Sequence, residues 1–292
     1  MTKAVLGVIG GSGVYDLPGL TDLAEHEVTT PWGAPSDRLR SGRIGQTQIV
    51  FLARHGQGHR IPPSEINYRA NIDAMKRMGV TDLVSLSACG SYRQELYPGL
   101  FVLPDQYVDR TVRRETSFFG TGFVAHVSMA HPVGPRLQER LMAAARDEAI
   151  EMRRGGVLVT MEGPQFSTLA ESMAYRAQGF DLIGMTAMPE AKLAREAEIT
   201  YATVAMVTDY DCWHPEHGAV EVAAVLEVMH ANTQKARRLV ARLAADFPAE
   251  REDCPVGSHK ALDMAMITAP QARDPALTAK LDAVAGRVLR RG

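Results

Sequence analysis

The chain has few cysteines, no surplus of basic charge and no long apolar run, and each shortage removes a class of protein. Three cysteines in 292 residues (Cys89, Cys212 and Cys254), odd in number and far apart, supply neither a disulfide framework nor a closed cysteine zinc site, and they fit a reducing cytoplasm. A formal net charge of −2 gives no electrostatic footprint for nucleic acid or for an anionic membrane. No apolar stretch approaches the ~18 residues of a membrane span. The N-terminal MTKAVLGVIGG runs straight into a strand and lacks the cleavage site of a signal peptide. What remains, at 46% hydrophobic and 23% charged residues, is the composition of a globular protein able to bury a sizeable core.

Apolar, β-branched runs alternate with segments of helical period. Strands are predicted at Ala4–Ile9, Thr47–Ala53, Asp82–Ala88, Leu100–Asp109 (interrupted by Pro104), Gly156–Met161, Asp181–Thr186 and Ile199–Val207. Helices are predicted at Asn67–Met78, Gly134–Met152, Thr168–Gln178 and Glu190–Glu198, from Val220 onward, and over the short stretch Lys260–Ile267. The rhythm is that of an α/β domain with a central, largely parallel sheet flanked by helices. No repeat, low-complexity tract or linker interrupts it before Phe247.

Polar residues collect where the predicted strands end. Gly10-Gly11-Ser12-Gly13 turns directly after the first strand and offers backbone N–H groups and one hydroxyl to an anion, or is simply a tight turn; it has neither dinucleotide nor P-loop spacing. Arg54-His55-Gly56 ends the second strand with donors suited to an oxyanion, or with a surface ion pair. Ser87-Ala88-Cys89-Gly90-Ser91 ends the third with small residues over which a flat ligand fits, Cys89 reading as packing rather than as a nucleophile. Ile199–Val207 ends at Thr208-Asp209-Tyr210-Asp211-Cys212-Trp213, where two carboxylates lie one residue apart. In open α/β sheets ligands gather beyond the carboxyl ends of the strands. Three readings of this acidic stretch stand: a metal site, although Asp209, Asp211, Cys212, His214 and His217 match no ligand spacing with a mechanism behind it; a binding module without turnover; and an enzyme acting on an anion and a flat heterocycle.

The motifs IGGSG (Ile9 to Gly13), LARHG (Leu52 to Gly56), NYRAN (Asn67 to Asn71), SACGS (Ser87 to Ser91), EGPQFST (Glu162 to Thr168), MTAMPEA (Met185 to Ala191) and TDYDCW (Thr208 to Trp213) fall in one order and spacing. Together they resemble the 5′-methylthioadenosine phosphorylases of the trimeric purine nucleoside phosphorylase family, over about Val5 to Ala244. The resemblance implies a mixed, partly barrel-like sheet surrounded by helices, with a single phosphorylase domain over 1–247. The extension 248–292, longer than the family pattern, would pack on that domain or on a neighbouring subunit. It implies a phosphate site at Ser12, Arg54, His55, Ser87, Ala88 and Thr186, the ribose against Met185, Phe166 on the purine ring, and Asp209 and Asp211 at the base edge. Val222 and Val225 would line the 5′-methylthio pocket, completed by His126 from a neighbouring subunit.

The implied reaction is phosphorolysis of 5′-methylthioadenosine to adenine and 5-methylthioribose 1-phosphate, with Asp209 as general acid. It implies a cytoplasmic homotrimer or homohexamer that needs no metal or other cofactor, phosphate being a substrate. A phosphorylase for 6-oxopurine nucleosides or methylthioinosine, and a non-catalytic nucleoside-binding protein, are the alternatives.

Overall fold

The computed structural model describes residues 2–11, 13, 16–216 and 220–290. One eleven-stranded sheet runs through the molecule: β1 (Val5–Gly10), β2 (Thr21–His26), β3 (Leu39–Ile44), β4 (Thr47–Ala53), β5 (Asp82–Ser91), β6 (Phe101–Leu103), β7 (Gln106–Asp109), β8 (Met152–Arg154), β9 (Val157–Thr160), β10 (Leu182–Gly184) and β11 (Thr200–Asp209). Its spine is parallel, β4–β1–β5–β11, while β2–β3–β4 is an antiparallel meander and β10 and β6 run antiparallel to β5 and β11. The sheet is therefore mixed, and less parallel than the strand–helix alternation predicts. β5 is the branch point, pairing with β1 along its first half and with β10 at its end, while β11 follows its other edge throughout.

Strands buried on both faces explain the continuous apolar runs. Along β1 the side chains alternate in pleat order: Val5 and Ile9 join one apolar cluster, Leu6 and Val8 the other. The first cluster is closed by α1 (Tyr68–Arg77) and α4 (Ala187–Glu196), the second by α2 (Pro135–Asp147) and α5 (Val222–Ala245). Helix ends follow local chemistry. Asn67 Oδ1 accepts the Ala70 amide at the start of α1, Gly79 at φ +81° ends it, and Thr168 with Glu171 forms a capping box on α3 (Leu169–Ala177). The segment after Phe247 carries α6 (Pro275–Lys280) and α7 (Gly286–Leu289), and its Leu262, Leu281 and Val284 belong to the first cluster. Arg287 Nε donates to the buried Glu198 (2.7 Å).

Four local expectations change. Pro104 lacks the N–H a ladder needs, so Leu100–Asp109 splits into β6 and β7. The helix expected to Met152 stops at Asp147, and Met152–Arg154 becomes β8. Lys260–Ile267 is not a helix: a 3₁₀ turn covers Ser258–Lys260, Met264 is exposed, and Met266 bridges to Ala125. Strand β2 carries no apolar signal because five of its six residues are exposed and the last is half-buried.

A buried carboxylate of α4 helps tie down the chain between β7 and α2. Glu196, buried, accepts from the Phe118 amide (2.7 Å) and the Ser117 hydroxyl (2.7 Å). Burial pushes its carboxyl up to about 7 despite those two donors. A raised native value means that the folded state holds the proton more tightly. Its stabilising contribution is thus complete below the ordinary 4.5 and is lost as pH rises through about 7. In Glu196→Gln the decline of unfolding free energy between those two pH values should shrink by up to about 3 kcal/mol, as read by urea titrations at stepped pH.

Candidate active site

A half-open cavity of about 690 Å³ lies at the carboxyl ends of β1, β4, β5 and β11, with the first two turns of α5 across it. A second hollow of about 710 Å³ is an open surface depression among Arg136, Arg140, Glu139 and Glu252 and holds none of the residues singled out above. The half-open cavity brings together Arg54, His55, Ser87, Ala88, Phe166, Met185, Thr186, Asp209, Asp211, Val222 and Val225. Ser12 lies outside the described residues. His126 does not line this cavity; it is exposed, and its backbone N–H donates to Ala265 O (2.8 Å).

At one end the cavity is polar. The Arg54 guanidinium is 2% exposed and forms a two-point pair with Glu190, Nε to Oε2 at 2.8 Å and Nη2 to Oε1 at 3.0 Å. Nη2 also donates to Ser85 Oγ (2.6 Å) and Nη1 to Leu86 O (3.1 Å). Burial works against the charge, but Glu190 outweighs it and holds Arg54 ionised. The fork expected to grip an oxyanion is therefore engaged by Glu190, and one Nη1 N–H is left without a partner among the described residues.

His55 differs from expectation in a similar way. Burial, then the neighbouring Arg54 charge, lowers its ring to about 4, so it is neutral near pH 7. Its Nδ1–H donates to Ile61 O (2.8 Å), which leaves Nε2 as an acceptor rather than a second donor. Ser87 Oγ and Thr186 Oγ1 lie 3.2 Å apart, and Thr186 does not use its side chain to cap α4. Stacked on His55 is His59, with ring centroids 4.0 Å apart; it and Arg60 also line the cavity. No apolar period marks the Gly56–Arg60 loop, and the sequence reading passed over both.

The other end is acidic. Register between β5 and β11 shifts between Val207 and Asp209, a bulge of the kind that re-aims a side chain at a strand's end. Asp209 then lies against Gly90, where a Cβ would stand 2.8 Å from Asp209 Oδ1 and force the carboxylate to move. Asp209 Oδ1 accepts the Asp211 amide (2.8 Å), and Oδ2 lies 2.7 Å from Thr208 Oγ1. That hydroxyl also reaches Cys89 O (3.3 Å), and its single hydrogen serves only one of the two. A protonated Asp209 satisfies every atom: its O–H donates to Thr208, and Thr208 donates to Cys89. Burial raises the Asp209 carboxyl above the ordinary range, opposed by Thr208 and the Asp211 amide and reinforced by the Asp211 charge.

Between the two ends, the walls are held by Arg114, in the chain between β7 and α2. Its guanidinium donates to Glu162 Oε1 (3.0 Å) and to the carbonyls of Met185 (2.6 Å), Met188 (2.8 Å) and Glu162 (2.7 Å). It thereby fixes the backbone that carries Met185 and the loop leading to Phe166. Among the described residues no group of three or more His, Cys, Asp or Glu side chains is assembled as a metal site. His214 instead bonds Gln94 Oε1 (2.7 Å) and stacks on Tyr210. No helix among the described residues is long and apolar enough to cross a membrane.

Residues 5–245 match the family model described as the phosphorylase superfamily. The S-methyl-5′-thioadenosine phosphorylase of Bradyrhizobium diazoefficiens is 67% identical over 290 residues, covering 99% of this chain and all of that one. Its counterpart from Rhodospirillum rubrum is 56% identical, covering 98% of both chains. Among solved structures, a methylthioadenosine phosphorylase from an Antarctic soil metagenomic library superposes with a TM-score of 0.91 at 42% identity, over 97% of this chain and 99% of that one. The Schistosoma mansoni methylthioadenosine phosphorylase in complex with adenine gives 0.83 at 38% identity, over 89% and 98%.

Removing Glu190 tests the polar end. Glu190→Ala leaves the Arg54 charge buried without its counter-ion, and the unfolding free energy should fall by about 3–5 kcal/mol in urea titrations. An unchanged midpoint would show that the pair is not what holds this end.

Proposed function

The chain belongs to the phosphorylase superfamily, and from that membership we propose that it cleaves 5′-methylthioadenosine with phosphate, releasing adenine and 5-methylthioribose 1-phosphate. One observation carries the reading: one cavity has hydroxyls and an arginine at one end, a pair of carboxylates at the other, and Val222 and Val225 on its wall. Phosphate, purine and an apolar 5′ substituent each find their complement there.

Phosphate is held by the Ser87 and Thr186 hydroxyls, the amide at Ala88 and the remaining Arg54 N–H, and the Ser12 hydroxyl is assigned to the same role from the family resemblance. His55, neutral, accepts the P–OH hydrogen at Nε2. Met185 packs on the ribose and Phe166 on the base. The C1′–N9 bond breaks as phosphate attacks C1′ from the opposite face, with inversion, and the phosphate charge stabilises the cationic sugar. The electron pair of the broken bond passes to the purine, and Asp209 donates its proton to N7 so that adenine leaves neutral. After release, the phosphate ester gives its P–OH proton to solvent and Asp209 takes one back from solvent, which balances the hydrogen that adenine gains.

Asp211 accepts from the 6-amino group. A 6-oxopurine would set carbonyl against carboxylate there, a mispairing that costs about 1–3 kcal/mol. Val222 and Val225 leave a 5′-hydroxyl unsatisfied, which favours the methylthio group over adenosine. We assign His126 to the 5′ pocket of a second copy in a trimer, alone or doubled to a hexamer; its exposed position on this chain is compatible with that role. The reaction needs no cofactor, and three unpaired cysteines suit a cytoplasmic setting.

Phosphate-dependent base release, measured side by side, should rank 5′-methylthioadenosine above adenosine and both above methylthioinosine and inosine. Release without phosphate would make the protein a hydrolase, and no release at all a binding protein. Asp209→Asn should cut kcat by about 10²–10⁴-fold. Because the acid works only while protonated, and burial raises its carboxyl, wild-type kcat should fall as pH climbs past that raised value. The asparagine variant should lack this alkaline limb.

A further inference from the structure

Behind the acidic end, and absent from the cavity wall, stands Tyr92, the residue after β5. It is wholly buried; its amide donates to Asp181 O (2.9 Å), and its phenol donates to Asp211 Oδ2 (3.1 Å). Burial and then the Asp211 carboxylate keep the phenol protonated far above its ordinary range, so it is a fixed donor. A phenylalanine ring would fill the same volume without the hydroxyl, and the oxygen's partner in this structure is a base-edge carboxylate.

A buried carboxyl is ambiguous toward a purine. Ionised, it accepts from a 6-amino group; protonated, it can donate to a 6-oxo group. An O–H donated to Oδ2 bars a proton from that oxygen and favours the carboxylate, which can only accept, over the acid, and the other oxygen is left to meet the base. We propose that Tyr92 is the positioning residue that biases Asp211 toward the accepting form and so sharpens the preference for 6-amino over 6-oxo purines. This rests on reading Asp211 as the residue that meets the 6-amino edge.

The test uses the full-length protein in its native assembly. The ratio of kcat/KM for 5′-methylthioadenosine to that for methylthioinosine is measured in wild type, Tyr92→Phe, Asp211→Asn and the double variant. Calorimetric affinities for adenine and hypoxanthine are measured alongside. Tyr92→Phe should lower the amino-to-oxo ratio about tenfold, the scale of one hydrogen bond to a charged group. In the Asp211→Asn background the same change should move the ratio no further, since the effect passes through that carboxylate. An unchanged ratio in Tyr92→Phe, or an equal fall with Asp211 already replaced, would overturn the proposal. Should wild type release no base from either nucleoside, the phosphorylase reading fails by itself. The adenine-to-hypoxanthine affinity ratio then still decides for or against Tyr92.

Discussion

The Arg54–Glu190 pair is the contact on which the polar half of the cavity depends. Arg54 follows β4 and Glu190 sits on α4. The guanidinium also binds Ser85 and Leu86 of β5, and Glu190 Oε1 accepts the Tyr201 hydroxyl of β11 (2.9 Å). Three strands of the parallel spine and one helix thus meet at two side chains. A buried ion pair is costly to desolvate and is no stability gain over a packed apolar pair. Here the cost is offset because both Glu190 oxygens and both ends of the guanidinium are hydrogen-bonded. What the pair secures is position: it fixes the start of α4, and with it Thr186, against the β5 residue Ser87.

The two ends of the cavity share a ruler. Ser87, at the polar end, and Gly90, against which Asp209 packs, lie on the same strand, and three residues of extended chain span about 10 Å. That is the scale of a phosphate together with the sugar carbon and purine it faces. The bulge in β11 and the missing side chain at Gly90 then bring the carboxylate across from the neighbouring strand. A single strand sets the distance, and a local irregularity in its partner delivers the acid.

This division also explains what could be read in advance. β4 was legible to the residue, because seven mostly buried residues announce a strand and Arg54 must follow it. Eleven of the residues named from strand ends, ordered motifs and the family resemblance line one cavity. Partnerships were not legible. Glu190 lies 136 residues from Arg54 and Asp211 lies 119 from Tyr92, and nothing local in either segment marks the pairing. Arg114 reads as one arginine among several in a polar connection, since its role is to satisfy carbonyl groups brought together only by folding. Strand β2 escaped for the opposite reason: a solvent-facing edge strand needs no apolar residues.

The same partnerships bear on how the proposed reaction gains its rate. Arg54 is neutralised by Glu190, and His55 is neutral because burial and Arg54 keep it so. Arg54 and His55 therefore offer phosphate hydrogen bonds rather than free charge, while Arg60 stands as a further cation on the same wall. A free cation at either of those two positions would bind phosphate more tightly in the ground state and draw on the charge that the developing oxocarbenium sugar requires. Only interactions that strengthen toward the transition state raise kcat. With its charge left available, phosphate itself becomes the group whose attraction grows as the C1′–N9 bond breaks, and the protein's part is to hold it in line beneath the sugar while Asp209 removes the developing negative charge from the base.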